Sequence, residues 1–333
     1  MLRTNARRRG LAAGALAVTA AVSLAACGSD SDSGSGSGSG EKDSTTHTIK
    51  TAMGDVKVPT DPQRVVVLDT PELDSAITLG VKPVGAVRAD VESKFLNYLP
   101  KDEVEGIKDV GTIGNPNLET IAGLKPDLIL SSKFRDGQRY DQLKEIAPTV
   151  FAEEVGAPWK ENFELHAEAL GKKDEAKTVV ADYDKHVKSV NKALGGPAKA
   201  KDTTVNVLRF MEGMDTRIYA DKNYIGTILQ DVGVSRPEEI IKQADKGERP
   251  GFTVEVSPEQ IDKADADVIF YTSYGSTAKS GEDKALKSPL WKNMKAVKDG
   301  KAFHVNDELW MQGIGYTAAN KILDEMQKDL TKK

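Results

Sequence analysis

The sequence is poor in cysteine, histidine and aromatic residues. Its 333 residues include one cysteine, Cys27, and four histidines, and aromatic side chains make up 6% of the chain. A single thiol can form neither an internal disulfide bond nor a thiolate metal cluster. Zinc and manganese sites need clusters of histidine and carboxylate ligands. Direct binding of a bare metal ion is therefore disfavoured, because no metal-ligand spacing links His47, His166, His186 and His304.

Basic charge is also scarce beyond the first 26 residues. The whole chain has 46 basic and 51 acidic residues, a formal net charge of −5. Residues 1–26 contain four arginines and no acid, which leaves 42 basic against 51 acidic residues, a net of −9. This excess of acid argues against nucleic acid or an anionic surface as a partner. No later apolar run approaches membrane-spanning length, which predicts a soluble body.

A basic and then apolar segment opens the chain. Arg3 and Arg7–Arg9 precede Gly10–Ala26, which carries no charge, and small residues lead up to Cys27. This order is typical of an export signal. The apolar run is slightly short for about 30 Å of hydrocarbon and is diluted by glycine, so a transmembrane helix is disfavoured. A soluble signal peptide with an incidental cysteine stays open as an alternative.

The sequence Leu24-Ala25-Ala26-Cys27 resembles the lipobox of bacterial lipoproteins. The resemblance implies that residues 1–26 are a signal peptide and that the Cys27 thiol carries lipid. The mature protein would then be anchored to the cell membrane on its extracytoplasmic face, because two or three acyl chains anchor stably. Gly28–Gly40 is almost wholly serine, glycine and aspartate, which predicts a flexible tether over residues 27–47.

The body alternates apolar strands with helical segments. Arg64–Leu68 is a β-branched run typical of a buried parallel strand, and a helix is predicted to follow it as far as Leu79. The same alternation continues to a closing helix over Tyr316–Leu330. It predicts an α/β protein with two lobes, each a mostly parallel sheet flanked by helices.

One helical segment is longer than a crossover between strands requires. Apolar residues recur at intervals of three and four from Ala176 to Leu194, and glycines follow. About 22 helical residues span about 33 Å, enough to join two lobes as a single connection. The predicted organisation is an N-terminal α/β lobe at 48–157, a helical segment at 158–196 and a C-terminal α/β lobe at 197–333.

The body resembles the ligand-binding proteins of bacterial ABC importers, in the group whose two lobes are joined by one long helix. Within that group it is most similar to the ferric-siderophore binders, which have vitamin B12 and haem binders as relatives. The resemblance covers about Val58–Leu330. It is carried by Arg64–Leu68 with Leu79–Gly85, by Val110–Thr112 with Pro116–Asp127, by Ile218–Val234 with Val256–Val268, and by Pro289–Gly300 with Trp310 and Gly315.

The resemblance implies that the ligand is a ferric siderophore, an iron(III) complex whose iron is coordinated by the siderophore itself. No cofactor or metal ligand of the protein's own is then needed. Hydroxamate types are favoured, because a triply anionic catecholate complex needs a denser basic cluster than Arg88 and Arg209 provide. Lys133, Arg135 and Arg139 could change that count.

Five candidate ligand-binding residues follow predicted strands, where ligands bind in open α/β sheets, and the sixth, Phe252, lies ahead of a predicted helix of the second lobe. Arginines would donate charge-assisted hydrogen bonds to chelating oxygens, and aromatic rings would contact the ligand's methylene groups. The set is Arg88, Ser132, Arg209, Phe252, Tyr274 and Trp310. A solvated surface arginine or an aromatic core residue is the ordinary alternative for each.

Glu119 and Glu259 each stand in the first turn of a predicted helix, one in each lobe. In the family, a glutamate at each of these places meets arginines of the permease, and the resemblance implies the same docking here. A glutamate in a first helical turn also stabilises the helix by itself. We expect a monomer that delivers its ligand to an ABC permease.

Enzymatic functions have little support in the sequence. No Gly-x-Ser-x-Gly elbow, phosphate-binding loop or Gly-x-Gly-x-x-Gly motif follows a predicted strand. A lipid-anchored hydrolase is the alternative from a different functional class, and it needs a nucleophile and a base together in the cleft. Within the binding class, haem and vitamin B12 remain alternative ligands.

Overall fold

A computed structural model describes residues 45–89 and 95–331. The predicted signal peptide, Cys27 and nearly all of the predicted tether lie outside these described residues. The first described element is a hairpin of β1 (Thr46–Thr51) and β2 (Gly54–Pro59), so β1 begins within the last residues assigned to the tether. Its tip is held against the first lobe by a hydrogen bond from the Ala52 backbone nitrogen to the Phe151 carbonyl, 2.9 Å long.

The first lobe is built on a sheet of six strands in the described part of the chain, in the order β6-β5-β4-β3-β7-β8. Within this sheet β5 and β6 pair antiparallel and the other pairs are parallel. The strands are β3 (Val65–Val67), β4 (Gly85–Arg88), β5 (Lys108–Thr112), β6 (Asn115–Pro116), β7 (Leu128–Ser132) and β8 (Thr149–Ala152). The helices are α1 (Thr70–Thr78), α2 (Lys101–Val104), α3 (Leu118–Gly123), α4 (Lys133–Asp136) and α5 (Tyr140–Ile146).

The central strand β3 shows why this sheet needs cover on both faces. Val65 and Val67 point into one hydrophobic cluster and Val66 into another, because successive side chains face opposite sides of a sheet. All three valines are buried. The helix after β3 begins where predicted, with the Asp69 carboxylate accepting a 2.7 Å hydrogen bond from the Thr70 backbone nitrogen.

The segment between the lobes contains a shorter helix, α6 (Trp159–Ala169), and one long helix, α7 (Lys173–Ala193). The 21 residues of α7 span about 32 Å at 1.5 Å per residue. The predicted apolar stripe faces the core, with Ala176, Tyr183 and Val190 buried. The prediction of a single long connecting helix is confirmed.

The second lobe is built on a sheet of five strands in the described residues, in the order β11-β10-β9-β12-β13. The strands are β9 (Val205–Met211), β10 (Thr216–Tyr219), β11 (Thr253–Val256), β12 (Val268–Tyr274) and β13 (Ala302–His304). The helices are α8 (Pro197–Lys201), α9 (Tyr224–Val232), α10 (Glu238–Ala244), α11 (Thr277–Ser280), α12 (Glu282–Lys287), α13 (Pro289–Asn293), α14 (Lys295–Lys298) and α15 (Tyr316–Leu330). A 3₁₀ segment covers Pro258–Ala264, and a π-helical turn covers Glu308–Gln312.

The second sheet is mixed. Strands β9, β12 and β13 are parallel, whereas β10 pairs antiparallel with both β9 and β11. The predicted α/β fold with two lobes and one long connecting helix is confirmed. The prediction of a mostly parallel sheet holds for the first lobe but is wrong for the second, where two of the four described strand pairs are antiparallel, because the sequence did not predict β10 and β11.

An aromatic cluster joins the connecting helices to the second lobe and to the closing helix α15. It consists of Trp159, Phe163, Tyr183, Tyr224 and Tyr316, whose contacting rings have centroids 4.6–5.6 Å apart. The Trp159 indole nitrogen also donates to Thr227 Oγ1 at 2.8 Å. Edge-to-face aromatic contacts of this kind add to the free energy gained from burial.

The buried carboxylate of Asp74 fastens α15 to α1 of the first lobe. It accepts hydrogen bonds from the Tyr98 hydroxyl at 2.8 Å and from the backbone nitrogens of Thr317 and Ala318, each at 3.1 Å. Burial raises the pKa of Asp74, and these hydrogen bonds lower it in part. A Cβ at position 315 would collide with this carboxylate, so glycine is required there.

Replacing Asp74 with alanine should destabilise the whole body. The change leaves the backbone nitrogens of Thr317 and Ala318 and the Tyr98 hydroxyl without their buried acceptor, which should cost about 3 kcal/mol of unfolding free energy. Urea unfolding followed by circular dichroism measures this loss. The control is Asp182→Ala, whose carboxylate forms an exposed pair with Lys185 and should cost less than about 0.5 kcal/mol. Equal losses in the two variants would contradict the assigned role of Asp74.

The buried imidazole of His166, on α6, should make stability depend on pH. Burial lowers the pKa of His166 to about 3, and its Nδ1 atom lies 3.0 Å from Ser75 Oγ on α1. The unfolded chain binds a proton near pH 6.5 and the folded chain does not, so unfolding free energy should fall as pH drops below 6.5. The loss should approach about 1.4 kcal/mol per pH unit.

The measurement compares the chain that keeps His166 with His166→Asn between pH 7 and pH 5. Burial raises the pKa of Glu72, whose Oε1 atom lies 3.7 Å from His166 Nε2, and this gives a slope of the opposite sign. Both proteins therefore carry Glu72→Gln, since residues in contact do not contribute additively. The stability advantage of the chain that keeps His166 should then shrink as the pH falls. Parallel profiles for the two proteins would show that His166 does not titrate differently on unfolding.

Candidate functional site

A cavity of about 710 Å³ lies between the two lobes. The first lobe contributes residues that follow β7 and β8, and the second lobe contributes the face of its sheet, the start of α9, the loop before β11 and the π-helical turn. Ligand pockets of small molecules have volumes of this order and occur at such boundaries. The polar and aromatic lining residues are Phe134, Arg135, Arg209, Arg217, Tyr219, Asn223, Tyr224, Glu248, Arg249, Phe252, Thr253, Glu255 and Trp310.

The antiparallel part of the second sheet forms one wall of this cavity. Strand pairing sets Arg209 opposite Arg217, and Arg217 opposite Glu255, so all three point to the cavity face. The intervening Leu208 and Ile218 point to a hydrophobic cluster on the other face. This wall depends on strands β10 and β11, which is why the sequence did not reveal Arg217 and Tyr219 as cavity residues.

Arg209 is held by a carboxylate of its own lobe. Its Nε and Nη2 atoms donate to the two carboxylate oxygens of Asp307 at 2.7 and 2.6 Å. Burial opposes the positive charge, but the hydrogen bonds and charge of Asp307 outweigh it and raise the pKa of Arg209. The Tyr274 ring lies on the guanidinium group, with its centroid 4.8 Å from the Cζ atom. Arg209 therefore reaches the cavity with its charge already compensated.

Two further cavity arginines are also paired with acids. Arg217 Nε lies 3.1 Å from Glu255 Oε1, and Arg135 Nε donates to Asp69 Oδ2 at 2.6 Å. Asp69 is buried and also caps α1, so its position is fixed by the first lobe. Each is a single charge-assisted hydrogen bond through Nε, which is shorter and stronger than a bond between neutral groups.

Arg249 differs from the other three arginines. Among the described residues it forms no ion pair with a carboxylate, and its guanidinium group lies against aromatic rings instead. Its Cζ atom is 4.0 Å from the centroid of Phe252 and 6.0 Å from that of Phe134. This arginine is the cavity cation that can meet an anionic group of a ligand without giving up an existing ion pair.

Trp310 forms part of the cavity wall. Its ring packs 4.6 Å from that of Phe270, and its indole nitrogen donates to Glu325 Oε2 at 2.6 Å. Both contacts fix the orientation of the indole. The side chain is 0% exposed, so the ring supports the cavity wall from behind and has no accessible surface of its own.

The structure brings three of the six sequence-predicted binding residues to the cavity: Arg209, Phe252 and Trp310. Tyr274 is not among the described lining residues, but its ring lies on the guanidinium group of Arg209, which does line the cavity. Arg88 and Ser132 are not among the described lining residues. Arg88 Nε lies 2.9 Å from Asp109 Oδ2, and the buried Ser132 hydroxyl accepts a 3.3 Å hydrogen bond from the Arg135 backbone nitrogen.

Glu119 and Glu259 are exposed, as docking residues must be. Glu119 lies in the first turn of α3, which is capped by the Asn117 side chain. Glu259 lies in the 3₁₀ segment after β11 rather than in the α-helix that was predicted. Each residue therefore follows a strand of its own lobe and faces solvent.

The described residues, 45–89 and 95–331, contain neither a cluster of metal ligands nor a membrane-spanning helix. Within those ranges, no group of three or more histidine, cysteine, aspartate or glutamate side chains is arranged to hold a metal ion. No helix between residues 45 and 331, apart from the undescribed gap, is long and apolar enough to span a bilayer.

Comparison with known proteins gives consistent relatives. The family model for periplasmic binding proteins matches residues 65–309. The probable siderophore-binding lipoprotein YfiY of Bacillus subtilis is 43% identical over 290 residues, which cover 85% of this chain and 87% of YfiY. The Fe(3+)-citrate-binding protein YfmC of the same organism is 31% identical, over 88% of this chain and 86% of YfmC.

Solved structures agree with these relatives. Staphylococcus aureus SirA complexed with staphyloferrin B superposes with a TM-score of 0.76 at 36% identity, covering 86% of this chain and 98% of SirA. The petrobactin-binding protein YclQ of Bacillus subtilis has a TM-score of 0.72 at 25% identity, over 87% of this chain and all of YclQ.

These relatives are substrate-binding proteins and not enzymes, which confirms that expectation for this chain. The family match covers both lobes and the helix between them, and the relatives align over most of their length. The chain therefore belongs to the periplasmic binding protein family, in the group whose structures resemble siderophore-binding proteins.

Proposed function

We propose that this protein is a lipid-anchored, extracytoplasmic binding protein that captures a ferric siderophore and delivers it to an ABC importer. The observation that carries the proposal is the cavity between the lobes, with arginines on its walls and aromatic rings beside them. A ferric siderophore presents chelating oxygens and a partly apolar backbone, and arginines and aromatic rings are the groups that bind such surfaces.

The names of the relatives support this proposal over the alternatives. YfiY is a siderophore-binding lipoprotein by name, and SirA was solved with staphyloferrin B. Neither haem nor vitamin B12 is named for the relatives described above. A hydrolase would need a different kind of site, and these relatives are binding proteins.

The charges around the cavity favour a ligand with little net negative charge. Four arginines line it, and two glutamates, Glu248 and Glu255, line it as well. Asp69 and Asp307 stand directly behind two of the arginines. We therefore retain hydroxamate siderophores as the favoured class. The carboxylates beside the arginines reduce the net positive charge of the cavity, and a triply anionic catecholate complex needs more positive charge than a hydroxamate complex does. Arg249 could in addition bind one free carboxylate.

The membrane anchor is proposed from Cys27, which lies outside the described residues. The relatives' names support it, since YfiY is called a lipoprotein. Lipid on Cys27 would hold the body at the extracytoplasmic face of the cell membrane, where an ABC permease is within reach.

Titration of tryptophan fluorescence tests the ligand. The panel is ferrioxamine, ferric citrate, a ferric catecholate, haem and cobalamin, each added to the purified full chain. We expect quenching with the tightest binding for the ferric hydroxamate and the weakest for cobalamin. Tight binding of haem or cobalamin, without binding of any ferric siderophore, would contradict the proposed function.

Two tryptophan variants locate the bound ligand. Both side chains are buried, but Trp310 borders the cavity, whereas Trp291 belongs to a separate cluster of the second lobe. Trp310→Phe should therefore remove the largest share of the quenching, and Trp291→Phe should leave most of it. The opposite pattern would place the ligand elsewhere.

The double variant Glu119→Ala with Glu259→Ala tests docking to the permease. Exposed charges at an interface act on the rate and orientation of association, here of the binding protein with the permease. Ligand affinity should therefore stay the same while iron uptake by cells falls several-fold. The control is Glu145→Ala with Glu239→Ala, which removes one exposed glutamate from each lobe at other places. Equal uptake by the two double variants would leave Glu119 and Glu259 without a docking role.

A further inference from the structure

Arg249 lies between aromatic rings that belong to different lobes. Phe252 is next to it in the second lobe, with its ring centroid 4.0 Å from the guanidinium carbon. Phe134 comes from α4 of the first lobe, with its centroid 6.0 Å away. All three residues line the cavity, so this contact crosses the cleft at the edge of the proposed binding site.

Phe134 is unusually exposed for its type. At 49% it has the highest exposure of any large apolar side chain in the described ranges. Two guanidinium groups lie over its ring, Arg135 at 5.1 Å and Arg249 at 6.0 Å. A ring in this position offers its face to cations and has little apolar packing to hold it in place.

The loop that carries Arg249 is fixed at its ends and exposed along its length. Residues 245–250, between α10 and β11, are all exposed. The Gly251 nitrogen donates to the Ala244 carbonyl at 3.0 Å, and the Ala220 nitrogen donates to the Phe252 carbonyl at 2.9 Å. The Arg249 carbonyl also accepts a 3.0 Å hydrogen bond from the Phe252 nitrogen, so the backbone of Arg249 is attached to the base of the loop.

We propose that Arg249 and Phe134 form a cation–π clasp between the lobes, which closes the cavity and slows the release of ligand. The inference rests on the proposed function for its ligand, but the contact itself does not depend on it. Arg249 suits this role because no carboxylate of the described residues holds it elsewhere. Cation–π contacts strengthen when water is removed, so a bound ligand that fills the cavity also strengthens the clasp.

The clasp should act on dissociation more than on association, because contacts formed after encounter are lost before the ligand leaves. Phe134→Ala and Arg249→Ala should each raise the dissociation rate of ferrioxamine about two- to fivefold, the factor expected for an exposed cation–π contact. Phe134→Tyr keeps an aromatic ring and should keep the wild-type rate. Phe134→Leu keeps apolar bulk without a ring and should behave like Phe134→Ala.

A double-mutant cycle separates the clasp from independent contacts with ligand. If Arg249 and Phe134 act through each other, the double alanine variant should dissociate no faster than the more affected single variant. The matched control is Arg217→Ala, whose arginine also lines the cavity but is paired with Glu255. Its effect should add to that of Phe134→Ala. Additive effects for Arg249 and Phe134 would overturn the clasp.

Amide hydrogen exchange tests the contact without any ligand. In the unliganded full chain, Phe134→Ala should speed exchange in residues 246–249 of the other lobe by about twofold or more, while Phe134→Tyr should not. Unchanged exchange in the alanine variant would overturn the clasp. Failure of the wild type to bind any ferric siderophore would instead overturn the proposed function, so the two failures are distinguishable.

Discussion

The hydrogen bonds to Asp74 hold together parts of the chain that are more than 240 residues apart in sequence. These hydrogen bonds attach the closing helix α15 to α1 of the first lobe. The aromatic cluster attaches α15 to α7 and to α9 of the second lobe. The lobes are thus joined by packed helices, α1, α7, α9 and α15. Packed helices bend little, so the cleft can close only through a small angle. Side chains at the rim of the cleft must then complete the enclosure of a ligand.

Most of the fold could be predicted because parallel strands and amphipathic helices leave strong local patterns. The predicted closing helix Tyr316–Leu330 agrees with the structure at both ends, and the long helix has 21 residues where about 22 were predicted. Strands β10 and β11 escaped prediction although each has four residues and the predicted strand β3 has only three. Their pairing is decided by contacts with β9 that are distant in sequence, and local patterns do not contain such information.

The residues that line the cavity were predictable only in part, for a related reason. Position after a predicted strand end selected Arg209 and Trp310, which line the cavity, but the same argument selected Arg88 and Ser132, which are not among the described lining residues. A strand end fixes the edge of the sheet at which a residue lies, and nearby partners then decide where its side chain points. Asp109 holds Arg88, and the Arg135 backbone nitrogen holds Ser132. Arg249 was missed because it lies on a loop between elements.

The carboxylates paired with the cavity arginines also limit which substitutions can change the ligand specificity of the cavity. Replacing Arg209 or Arg135 would strand a largely buried carboxylate, Asp307 or Asp69, and an uncompensated buried charge is costly to fold. Replacing Arg249 strands no such partner in the described part of the chain. Natural variation and laboratory selection can therefore change the ligand preference of this cleft by a single substitution at position 249, whereas changes at Arg209 or Arg135 require a second, compensating substitution.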